Sequence, residues 1–187
     1  MDAFSYLSVL ISIILGLAIT EVLQGLRGLV IARARVRMYW PSVAWAVLTM
    51  LVSVQSWWAM FGMRHLESWS FVQFAVVLVQ VIATYMLAAL VLPDFEGDHT
   101  IDLRTHYFRQ VRWFSAIAVC VLLASLAKDL VLSGHLPAAL NVGFHLFFMA
   151  IWLGAALTRR DAYHYALPLL TACAFCAYIV LLFARLQ

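Results

Sequence analysis

The chain has 187 residues, 66% of them hydrophobic and only 11% charged, with a formal net charge of +3. Soluble domains carry about 25% charged residues, so this composition points to the bilayer and leaves little chain for a soluble domain. Three scattered cysteines exclude a disulfide framework, and no nucleophile with its base, zinc motif or phosphate loop is present to indicate a hydrolytic enzyme.

A membrane helix needs about 20 mostly apolar residues. Six runs satisfy this, at residues 5–27, 41–62, 70–92, 112–132, 138–157 and 164–184. The expected fold is an all-α polytopic bundle, a single transmembrane domain over residues 1–187. Nine basic residues fall on one side of such a bundle: Arg27, Arg33, Arg35, Arg37, Arg104, Arg109, Arg112, Arg159 and Arg160. Arg64, Lys128 and Arg185 fall on the other. The positive-inside rule then predicts non-cytoplasmic termini and three basic cytoplasmic connectors. This asymmetry accounts for the net charge, so no nucleic-acid partner is inferred. Asp2 and the lack of an early Lys or Arg differ from a secretory signal, and the first span is expected to stay in the mature protein.

In span one, Ser5, Ser8, Ser12, Gly16 and Thr20 share one helical sector. Such small-residue stripes let helices approach closely in lipid, within a chain or in a homo-oligomer. Glu21 and Gln24 follow, and Glu21 lies about 26 Å along the helix from Phe4, toward the inner edge of the hydrocarbon core. Span two begins at Tyr39-Trp40-Pro41 and carries Ser42, Thr49, Ser53 and Ser56 on one face, with Trp57 and Trp58 at the outer interface. In span three Gln73, Gln80 and Thr84 share a face, and an amide in lipid is expected to turn inward toward partners.

Pro93 ends that span, and Asp94, Glu96, Asp98 and Asp102 form the one acidic connector. It reads as a solvated loop, with Asp102 capping a helix that begins near Leu103. Span four becomes polar at Ser125, Lys128 and Asp129, and span five places Asn141, His145 and Trp152 on one face. Span six carries Pro168, Thr171 and Tyr178, with Cys173 and Cys176 read as small apolar filler.

The chain resembles a family of small, uncharacterised bacterial inner-membrane proteins. The likeness rests on Tyr6-Leu7-Ser8-Val9-Leu10-Ile11-Ser12-Ile13-Ile14-Leu15-Gly16-Leu17, Tyr39-Trp40-Pro41, Trp57-Trp58, Leu92-Pro93-Asp94 and Arg112-Trp113-Phe114. The resemblance implies a multi-pass protein of the cell inner membrane and brings no activity with it. Intramembrane polar residues are functional candidates, and here Thr20, Glu21, Gln24, Gln73, Gln80, Thr84, Asp129, Asn141 and His145 could form a polar path for a small ion or solute. A second reading is a non-catalytic assembly partner that uses its small-residue faces. A third is a haem-binding redox protein, which needs two histidines on facing spans. No cofactor or metal is otherwise expected.

Overall fold

The computed structural model describes residues 3–66, 68–95, 97 and 99–183. Six helices, each long and apolar enough to cross a membrane, make up most of it. They are α1 (Ala3–Ile31), α2 (Trp40–Met60), α3 (Phe71–Val91), α4 (Leu103–Ser133), α5 (Ala139–Leu157) and α6 (Asp161–Tyr178). Each predicted span is therefore a helix. Asp2, Glu67, Glu96, Asp98, Arg185 and the last residue of the sixth predicted span lie outside the described residues.

Local chemistry sets the helix ends. Pro41 occupies the first turn of α2, where its missing N–H is no loss. At α3 the Ser70 hydroxyl accepts from the Gln73 N–H, and the Gln73 side chain accepts from the Ser70 N–H. Asp102 caps α4 as expected, its carboxylate accepting from the N–H groups of Arg104 and Thr105. With that cap in place α4 runs unbroken for 31 residues, so the helix expected to begin near Leu103 is continuous with span four. It ends at Gly134, whose φ of 76° closes the helix through its N–H to the Leu130 carbonyl. Pro168 lies inside α6 without ending it, and α6 passes into a π-turn over Ile179–Phe183.

Helix α3 packs on α1 and α4, α4 on α5, α5 on α6 and α6 on α2, while α2 closes the circuit against α1 and α3. The largest buried cluster includes Ala18, Val22, Trp45, Leu87, Phe114, Trp152 and Leu167. Outward faces are apolar, as at Val9, Ile13, Leu17, Leu153 and Leu169, and suit contact with lipid.

The three expected cytoplasmic connectors meet at one end of the bundle. A two-residue strand β1 (Val36–Arg37) pairs in parallel with β2 (Ile101–Asp102). Arg35 Nη2 donates to the Phe95 carbonyl at 2.9 Å, and Arg104 grips Asp161 through two bonds of 3.1 and 2.8 Å. Glycines let this end close tightly: a Cβ on Gly28 would lie 2.7 Å from the Phe95 ring, and one on Gly25 would lie 2.9 Å from Leu92.

The stripe on α1 is not its main contact face within the chain: Ser5, Ser8 and Ser12 are only half-buried. Helix α1 packs through Ile11, Leu15, Ala18 and Val22, while Gly16 and Thr20 are exposed. The Ser8 and Thr20 hydroxyls bond back to the carbonyls of Ser5 and Gly16. The α2 stripe does face inward, with Ser42, Thr49 and Ser53 all buried.

Candidate functional site

The polar groups of α2 to α6 surround a series of cavities. The central one, about 120 Å³, lies between α2, α4, α5 and α6, with Gln80 and Leu87 of α3 completing its wall. Its walls are mainly aromatic and aliphatic: Trp45, Phe114, Phe148, Trp152, Phe175 and Tyr178. Set among them are Gln55, Ser56, Gln80, Ser125, His145 and Thr171, and no Asp, Glu, Lys or Arg lines this space.

Toward the α4–α5 turn it adjoins a wider vestibule of about 360 Å³, and both share Gln55, Ser56, Gln80, Ser125 and Tyr178. The vestibule adds Asn141 and the neighbouring pair Lys128 and Asp129, whose charged groups stand 3.5 Å apart. Toward the connector end, Trp45 and Phe114 also bound a space of only about 20 Å³ with Tyr107, His106 and Gln110. Beyond it, His106, Gln110 and Leu90 reappear in the wall of a surface cleft of about 600 Å³ that holds Asp94, His99 and Arg109.

Two buried histidines brace these walls. The His145 Nδ1 faces the Asn141 carbonyl at 2.9 Å and its Nε2 faces Ser125 Oγ at 3.1 Å. A carbonyl only accepts, so in the neutral ring Nδ1 carries the proton and Nε2 accepts from Ser125. His164 is fully buried, with Nε2 2.9 Å from the Thr158 carbonyl and Nδ1 2.9 Å from Tyr107 Oη. By the same rule Nε2 carries its proton and the Tyr107 hydroxyl donates to Nδ1. Both nitrogens of each ring are thus engaged by protein groups. Among the described residues no three His, Cys, Asp or Glu side chains gather as a metal site.

Beside His164, Tyr107 packs against Tyr39, with ring centroids 5.3 Å apart. Burial, reinforced by Asp161 and Tyr165 and opposed by Arg104, pushes the Tyr39 phenol up to about 12. This phenol stays neutral at physiological pH.

The structure divides the nine predicted path residues. Gln80, Asp129, Asn141 and His145 come together around the vestibule and central cavity. Thr84 is buried but bonds back to the Gln80 carbonyl, and Gln73 is spent in the α3 cap. On α1, Thr20 and Gln24 are exposed, while half-buried Glu21 accepts a bond of 3.3 Å from Tyr85 Oη. None of these five lines the four cavities.

Sequence reasoning overlooked Gln55, the neighbour of a serine it had placed on the inner face. His106 and His164 both lie within helices packed against neighbours. The α6 thiols of Cys173 and Cys176 are exposed on the outer face and fill no core space.

Six helices long and apolar enough to cross a membrane make this a multi-pass integral membrane protein. Its sequence matches no family model, no curated protein and no solved structure.

Proposed function

We propose that this protein is a small-solute channel or transporter whose route follows the vestibule, the central cavity and the narrow space at Tyr107. The single observation that carries this reading is that each of the four spaces shares wall residues with the next. A bundle that needed only stability would fill its core to crystal-like density. The narrow space between Trp45, Phe114 and Tyr107 holds about 20 Å³, room for one water, and on this reading is the constriction of the route. Motion of those rings would open it.

The family resemblance supports placing the protein in the bacterial inner membrane. The basic residues in and beside the three clustered connectors support cytoplasmic connectors and outside termini. The exposed Gly16 and Thr20 of the α1 stripe favour a second reading, in which that helix packs against another copy or a partner while the chain has no transport activity.

Proteoliposome flux separates the two. Reconstituted protein should pass a small solute faster than empty vesicles, scored by light scattering for neutral solutes and by dyes for H⁺, K⁺ and Na⁺. No flux of any of these would favour the assembly reading.

A further inference from the structure

We infer that the central cavity is a binding site for a neutral, single-ring solute carrying one hydrogen-bonding substituent. This names the cargo of the route proposed above and rests on that reading for its transport role, though not for binding. Size comes first. At about 120 Å³ the cavity approaches the roughly 150 Å³ of an engineered apolar cavity that takes up benzene. One six-membered ring is therefore the upper limit for a snug occupant.

Charge comes second. No ionised side chain lines the cavity, and His145 is held by a carbonyl and a hydroxyl. An ion entering would lose its hydration with no counter-charge to replace it. An aromatic cage for a cation needs open ring faces. Here the rings cover each other: Trp45 and Trp152 centroids are 4.5 Å apart, Phe114 and Trp152 5.2 Å, and Phe175 and Tyr178 stack at 6.2 Å.

The polar handle comes third. Thr171 is only 8% exposed, lines the cavity, and its Oγ1 has no partner among the described residues. Thr20, Ser53 and Thr84 satisfy their hydroxyls on the carbonyl four residues back, and Thr171 does not. A buried hydroxyl left unpaired is costly, and a ligand hydroxyl or carbonyl would pair it. The Gln80 side chain lines the same space.

The test is ¹⁹F NMR of 4-fluorophenol with full-length protein in nanodiscs, read against empty nanodiscs. The expected result is saturable binding of one ligand per chain, displaced by phenol and not by tetramethylammonium or benzoate. Ala118→Phe, which fills the cavity from α4, should abolish it. Thr171→Val, nearly isosteric, should weaken 4-fluorophenol about two- to tenfold and leave fluorobenzene unchanged. Signal that grows only with lipid and is equal in Ala118→Phe would overturn the site, as would displacement by tetramethylammonium or a lipid chain recovered from the cavity. Saturable binding without phenol flux keeps the site and removes the transport reading, whereas ion flux without binding overturns the inference alone.

Discussion

The first and second halves of the chain solve the same problem differently. Helices α1 and α3 pack directly along a continuous apolar seam, Ile11 and Leu15 against Val77 and Val81, and the polar groups there are satisfied in place. Helices α4 and α6 stand further apart with α5 beside them, and the space they leave, closed on its far side by α2, holds the central cavity. Glu21 in the first half is tied to one tyrosine across a tight seam. Its counterparts in the second half, His145 and Ser125, brace a wall. A polar residue in a membrane helix thus marks a route only where the neighbouring backbones leave room.

Stability changes should track this division. The largest loss is expected at the buried Tyr107–His164 pair, where Tyr107→Phe removes the donor to Nδ1 and leaves a buried acceptor unpaired. That costs about 1–3 kcal/mol and should appear as a lower Tm in detergent. A similar loss, about 1–3 kcal/mol from overpacking, is expected for Gly28→Leu, because Phe95 already crowds that position. Gly16→Leu, on the same helix with nothing within 4 Å, should leave Tm unchanged or higher. Equal effects of the two would show that α1 packs through its stripe after all.

Smaller effects are expected at the connector end. The Tyr39 phenol sits above its ordinary value of 10 because burial favours the neutral form. Its contribution is therefore complete below pH 10 and is lost as pH rises toward about 12. Tyr39→Phe should lose less stability than wild type across that window in alkaline melts. At neutral pH the same change should cost little, since the hydroxyl is buried with no partner among the described residues. Least of all, Arg104→Ala should barely move Tm, because the ion pair with Asp161 is half exposed.

The helices were legible because hydropathy over about 20 residues is a strong signal, and Asp102 and Pro41 marked two ends through cap chemistry. The inward faces of α2 and of Gln80 were legible from helical spacing. The role of α1 was not. A stripe of Ser, Gly and Thr looks the same whether it faces a neighbour or lipid, since hydroxyls can bond back to their own helix. The cavity was also hidden, because it depends on how far α4 stands from α6, which no local pattern records. Gln73 shows the same limit: its spacing matched Gln80, yet its place at a helix start made it a cap.

The central claim is that the route runs beside α4 and α6 and not along α1. Ala118→Phe and Glu21→Gln, compared with wild type in a phenol efflux assay from proteoliposomes, test it most directly. Filling the cavity should lower flux at least about tenfold, the scale of a blocked single-file step costing some 1.4 kcal/mol or more. Removing the Glu21 charge while keeping its bond to Tyr85 should leave flux at the wild-type level. Flux that survives Ala118→Phe and collapses in Glu21→Gln would place the route along α1 and contradict this account.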